Sequence, residues 1–156
     1  MAAKRSNQAD PSAPIAENRR ARHAYEVLET FEAGLVLRGT EVKTLRSGNA
    51  QIDESYARIQ AGEAWLVGAH IDEYSHGNAH NHKPTRRRKL LLKKSQIRKL
   101  EAQVKQKGLT LVPLKLYFSD RGFAKLLFGL CKGRKTVDKR QKERKREAER
   151  EMRRQG

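Results

Sequence analysis

Apolar side chains in this chain alternate with polar ones along several short segments, and its cationic residues gather in blocks between and beyond them. Period-two alternation is the signature of half-buried strands, so the segments predict a mainly β body. The net charge of +17 over 156 residues is far too large to be spread evenly over such a body without purpose. One block, Lys83 to Lys94, holds seven Lys and Arg, no acid and three central leucines. A second, Gly133 to Gly156, holds eleven Lys and Arg against five acids, and past Asp138 its only clearly apolar residues are Ala148 and Met152. That stretch can bury almost nothing. A chain so basic concentrates near phosphates through long-range attraction and counterion release, which makes nucleic acid the expected partner.

Length allows one domain with a modest core. No run approaches the roughly 20 apolar residues that span a bilayer, and the N-terminus has no apolar signal core, so a non-secreted cytoplasmic protein without a membrane partner is expected. Cys131 is the single cysteine, which excludes an internal disulfide and a cysteine-rich zinc site. The sequence divides into a flexible leader (1–17), an RNA-binding body (18–132) and a basic tail (133–156).

Along the body, Tyr25, Val27 and Phe31, then Ala33, Leu35 and Leu37, suit either two strands joined through Glu32–Gly34 or one long bent strand. Glu41 to Arg46 suits a short helix closed by Gly48. Tyr56–Gln60 and Trp65–Ile71 flank a glycine-containing loop and predict a hairpin. Ser75–Arg88 reads as a long exposed loop. Ser95 is placed to cap a helix whose Ile97, Leu100 and Val104 share one face and whose stop is Gly108. Leu109–Phe118 and Phe123–Cys131, in which Leu114, Leu116 and Phe118 and then Leu126, Phe128 and Leu130 alternate, read as two strands that meet at a turn over Ser119–Gly122. Five or six strands with one to three short helices fit a small closed antiparallel barrel of the oligonucleotide-binding (OB) type, with a split α+β sheet as the other topology.

The chemistry is cationic. Asn18, Arg19, Arg20, Arg22 and His23 pack three guanidiniums, an amide and an imidazole into six residues, and guanidinium binds phosphate bidentately and stacks on bases. Arg86, Arg87, Arg88 and Lys89 form a second cluster, followed by Leu91, which either enters the core or packs on an unstacked base. His76, His80 and His82 carry a metal-like spacing, but Gly77, Asn78, Asn81 and Pro84 argue against the helix that would align them, and no metal is expected. Glu41, Asp53, Glu54, Asp72 and Glu73 form no recognised acid/base set, and there is no P-loop or nucleophile elbow, so neither an enzyme nor a cofactor is expected.

These residues also carry a family resemblance. Asn18-Arg-Arg-Ala-Arg-His23, Phe31-Glu-Ala-Gly-Leu35, Gly39-Thr-Glu-Val-Lys43, Arg88-Lys-Leu-Leu-Leu92, Leu116-Tyr-Phe118, Lys132-Gly-Arg-Lys135 and Asp138-Lys-Arg140 resemble, in order, the signatures of the SsrA-binding (SmpB) family. The resemblance implies a monomeric bacterial factor of trans-translation. It would bind the tRNA-like domain of transfer-messenger RNA (tmRNA, SsrA). With GTP-bound elongation factor Tu it would help deliver that RNA to stalled ribosomes, where small-subunit rRNA surrounds it. A basic ribosome-assembly or ribosomal protein is the competing function.

Carried over by position, Asn18, Arg19, Arg20, Arg22, His23, Glu32, Leu91 and Lys125 would contact RNA, and Lys43, Arg86, Arg88, Lys89 and Lys132 are candidate contacts beside them. The tail residues Gly133, Lys135, Val137, Asp138, Lys139 and Arg140 would enter the empty messenger channel and decoding centre, folding there as a helix. The family position at Val137 is commonly aromatic or His, and valine cannot stack as those residues do.

Overall fold

The structure is a computed structural model that describes residues 14–133 and 146–153. Over these described residues the chain is mainly β: a seven-stranded antiparallel sheet, a two-stranded sheet and four helices. In chain order the elements are β1 (Ala16–Glu17), α1 (Ala21–Ala24), β2 (Tyr25–Leu35), α2 (Gly39–Arg46), β3 (Ala50–Gln51), β4 (Tyr56–Gln60), β5 (Glu63–Val67) and β6 (His70–Ile71). A 3₁₀ turn (Asn78–His80), β7 (Arg88–Leu91), α3 (Lys94–Lys107), β8 (Thr110–Phe118), β9 (Ala124–Gly133) and α4 (146–153) follow. The large sheet runs β1-β8-β4-β5-β7-β2-β9, and β8 also pairs with β9. The pairings therefore run in a ring through six strands, in which β4 and β8 share one register pair, Ala57 with Leu111.

Alternation explains most of this. Leu126, Phe128 and Leu130 of β9 and Leu111 and Leu116 of β8 face the core, where Phe31 stacks on Phe128 with ring centroids 5.7 Å apart. Each such side chain contributes roughly 1.5–3 kcal/mol by leaving water. Pro113 lies where the β8 register shifts, a position that tolerates the missing N–H. Tyr25–Leu35 is one strand with a bulge between Val27 and Glu29, so the long bent strand is the form adopted and Glu32–Gly34 makes no turn. The bulge turns Val27 and Tyr25 toward a second, smaller apolar cluster of Ala21, Val112, Leu114 and Cys131.

The hairpin forms, but its turn is tighter than expected. Ala61 and Gly62 both have positive φ, 51° and 74°, as a two-residue turn of this hand requires, and β5 starts at Glu63. In α3, Ile97 and Leu100 are buried and Gly108 ends the helix in the left-handed region. Its start differs from the expected one: the cap is Lys93, whose N–H donates to Gln96 Oε1 at 3.1 Å, and Ser95 lies inside the helix. At the other end of the body, pairing with β8 begins when Ile15 N–H donates to Leu116 O at 2.7 Å, ahead of the expected start at Asn18.

Candidate nucleic-acid interface

Three places gather the residues expected to touch RNA. The first is built on α1. Ala21 is buried against Val112, Leu114 and Cys131, which plants this short helix on the outside of β8 and β9 and leaves Arg19, Arg20, Arg22 and His23 exposed. Asn18 is the anchor rather than part of the exposed strip. Its N–H donates to Leu114 O and its Nδ2 to Pro113 O, at 2.9 and 3.0 Å. Its Oδ1 is buried with no partner among the described residues. Beside it opens a groove of about 630 Å³ whose lining includes Arg20, His23, Tyr25, Asp53, Glu54 and Tyr56. Burial pushes the nearby Cys131 thiol up, outweighing the Val112 backbone hydrogen bond and the Arg22 charge, so this cysteine stays an unreactive core group.

A second surface collects residues far apart in sequence. Gly34 of β2 is the register partner of both Leu91 on β7 and Lys125 on β9. With no side chain of its own, it leaves a shallow floor between them. A Cβ there would touch Leu91 Cδ1 at 3.5 Å and lie 3.7 Å from Lys125 Nζ. Leu91 is 55% exposed, so it is Leu90, at 1%, that enters the core. Glu32, on the same strand, accepts a short hydrogen bond from the Tyr117 hydroxyl. Burial, and then Glu32 itself, pushes the Tyr117 phenol well above its ordinary range and keeps it a donor.

The third place lies in Ser75–Arg88, which is largely exposed as expected but buries two of its polar side chains, His82 and Arg88. Arg88 is fully buried. Its Nε donates to Glu41 Oε2 at 2.6 Å, and its two terminal nitrogens donate to Ala69 O at 2.8 Å and Pro84 O at 3.0 Å. Arg86 donates to the other Glu41 oxygen. His82 is also buried, its Nδ1 2.9 Å from Thr40 Oγ1 and its Nε2 2.9 Å from Ile71 O. Because a carbonyl only accepts, Nε2 carries the proton and Nδ1 accepts from the threonine. Asn81 straps the loop by accepting from Tyr74 N–H and donating to Tyr74 O. A guanidinium occupied in this way cannot meet phosphate, so Arg88 is a structural clamp between α2 and the loop.

The remaining expected residues scatter. Lys43 lies over the Tyr74 ring at 5.3 Å, Lys89 pairs with Glu63 at 3.1 Å, and Lys132 is exposed near the end of β9. Gly133 is exposed at that strand's last position, whereas Lys135, Val137, Asp138, Lys139 and Arg140 lie outside the described residues. Among the described residues no group of three His, Cys, Asp or Glu is placed to hold a metal ion. None of their helices is long and apolar enough to cross a membrane. Two partnerships are not legible in the sequence, that of Glu41 with Arg88 and that of Tyr117 with Glu32. Strand and helix pairing, not composition, brings each couple together.

Residues 15–156 match the family model described as SmpB protein. The chain belongs to the SmpB family. It is 56% identical over 140 residues to the SsrA-binding protein of Halalkalibacterium halodurans, covering 90% of each chain. It is 54% identical over 138 residues to that of Chelativorans sp., covering 88% of this chain and 89% of the relative. A solved structure described as "tmRNA-SmpB: a journey to the center of the bacterial ribosome" superposes with a TM-score of 0.66 at 55% identity, covering 80% of this chain and 87% of that one. Among the described residues, the family motifs at Asn18–His23, Phe31–Leu35, Gly39–Lys43 and Arg88–Leu92 fall on the α1 strip, the Gly34 floor and the Glu41 clamp, while Lys132 and Gly133 end β9.

Proposed function

We propose that this chain binds tmRNA through its β body and acts in trans-translation on stalled ribosomes, as a cytoplasmic binding factor rather than an enzyme. The observation that carries the reading is the meeting of Glu32, Leu91 and Lys125 around Gly34, from three strands, on one surface. A cation, an apolar contact and an oriented carboxylate in one place can address phosphate, a base face and a base amino or ribose hydroxyl together. The names borne by the relatives, SsrA-binding protein and tmRNA-SmpB, fit that chemistry. The ring of pairings through β8-β4-β5-β7-β2-β9 supports reading the body, 18–132, as an OB-type barrel.

In the same proposal Arg19, Arg20, Arg22 and His23 supply a phosphate-holding strip, which the buried Asn18 anchors to β8. The segment 133–156 serves as the ribosome-directed tail, the chain acts as a monomer, and elongation factor Tu with GTP joins the delivery complex. The test is binding of the purified chain to tmRNA, to an unrelated RNA of equal length and to bulk tRNA across a salt titration. A preference for tmRNA that survives rising salt is expected. Equal, steeply salt-sensitive binding to all three would overturn the reading and leave a generic basic RNA-binding protein.

A further inference from the structure

On the outer side of β4, β5 and β7 a row of residues lies across three strands: Arg58 is the register partner of Trp65, and Trp65 of Lys89. Directly opposed residues in an antiparallel sheet share a face. Their neighbours Ala57, Ala64, Leu66 and Leu90 are buried, so the row points outward. Arg87 completes it. Its guanidinium carbon lies 4.0 Å from the centre of the Trp65 ring, and one of its nitrogens donates to Gln60 Oε1 at 3.1 Å. The half-buried indole thus has cationic residues on both neighbouring strands and a guanidinium pinned over it. The acid beside the row, Glu63, is paired with Lys89.

We propose that this face is a further RNA contact, a stacking platform for unpaired nucleotides centred on Trp65 and Arg87. An arginine held over an aromatic ring keeps its outer face for a nucleobase and its edge for phosphate, and Arg58 stands beside it as a second phosphate partner. In the strand order β8-β4-β5-β7-β2-β9, β5 stands away from both β8 and β9, which carry α1, so the platform addresses a different stretch of RNA from the α1 strip. The charge of the row favours a polyanion, and the aromatic at its centre favours one that carries bases. The inference rests on the RNA-binding reading above and adds a site to it.

Trp65 is the chain's only tryptophan, so its fluorescence reports on this face alone. The full chain is titrated with a fluorescein-labelled oligoadenylate of about twelve nucleotides, following both label anisotropy and indole emission. Saturable quenching that tracks the anisotropy is expected. The Arg58→Ala/Arg87→Ala variant, which removes two exposed side chains and keeps the reporter, should bind roughly fivefold or more weakly and take about 1.4 off the salt slope. Trp65→Leu should weaken binding similarly, with its melting temperature checked alongside.

Binding of the oligonucleotide with unchanged emission and an unchanged double variant would overturn the platform while leaving the tmRNA reading intact. Equal quenching by a polyglutamate peptide or by an RNA duplex would overturn base stacking. Binding of tmRNA without the oligonucleotide would overturn a single-strand site, and binding of neither RNA would overturn both readings.

Discussion

Arg88 Nε donates to Glu41 Oε2 at 2.6 Å with both side chains wholly closed to solvent, tying the strand β7 to the helix α2 from inside the protein. Burial by itself would raise the Glu41 pKa, but hydrogen bonds from Arg86, from the Arg38 N–H and from Arg88, with the Arg88 charge, bring it below its ordinary 4.5. For Arg88 the balance runs the other way: burial lowers its pKa and Glu41 only partly restores it. Glu41→Gln leaves a buried guanidinium without its counter-charge, and removing one partner of such a pair costs about 3–5 kcal/mol. Urea unfolding at neutral pH should show that loss. Because the folded carboxyl is the stronger acid, its contribution is full above about 4.5, the unfolded value, and is lost as pH falls through the lower folded value. The Glu41→Gln variant should therefore lose less stability on acidification than the parent.

The hairpin turn offers a gain instead of a loss. Ala61 sits at φ 51°, a region that costs a non-glycine residue roughly 1 kcal/mol and that asparagine enters more readily. Asparagine followed by glycine is the favoured pair for such a turn, and Gly62 already fills the second place. Ala61→Asn should raise stability by about 0.5–1 kcal/mol, seen as an increase of several degrees in Tm, with RNA affinity unchanged.

Tyr117 and Glu32 give a prediction that concerns binding more than folding. The hydroxyl fixes an exposed carboxylate beside the Gly34 floor, and an exposed hydrogen bond of this kind contributes modestly to stability. Tyr117→Phe keeps the ring and frees the carboxylate. Affinity for tmRNA should fall by about 0.5–1 kcal/mol, roughly two- to fivefold in Kd, with Tm nearly unmoved. A Kd equal to the parent's would mean that the carboxylate needs no orientation.

What can be read from sequence in this chain divides along a physical line. Local pattern is sufficient for α3, where Ile97, Leu100 and Gly108 stand at the spacing a helix needs, and for the existence of β8 and β9, though not for the register shift at Pro113 that breaks the alternation of β8. It is sufficient too for the exposed arginines of the α1 strip. Side selection within Arg88–Leu92 is not legible in this way. Period two places Arg88 with Leu90 and Lys89 with Leu91, but only the pairing of Leu90 with Ala64 decides which pair is inside. A charged residue expected at the surface therefore takes its place in the core, because Glu41 waits there 47 residues away in sequence. The Gly34 floor likewise depends on register, which composition does not encode.

Separation of body and tail predicts different losses for different assays. Removing residues 138–156 should leave tmRNA affinity within about twofold, since each surface described above lies before Gly133. Peptide tagging on stalled ribosomes should disappear. Tagging by the truncated chain would show that the segment is dispensable for the decoding step.

The α1 strip makes the sharpest electrostatic prediction. Arg19, Arg20 and Arg22 are exposed and are held outward by the burial of Ala21, so replacing all three by alanine removes charge without opening the core. Removing one cation from a phosphate flattens the dependence of log Kd on log salt by close to one unit. The triple variant should bind tmRNA more weakly at low salt, with a slope shallower by roughly two to three. Its Tm should match the parent's. A change confined to affinity at every salt concentration would point to hydrogen bonds with bases instead of phosphates. Unchanged affinity and slope would remove the strip from the interface, leaving the Gly34 floor as the contact that carries the proposed function.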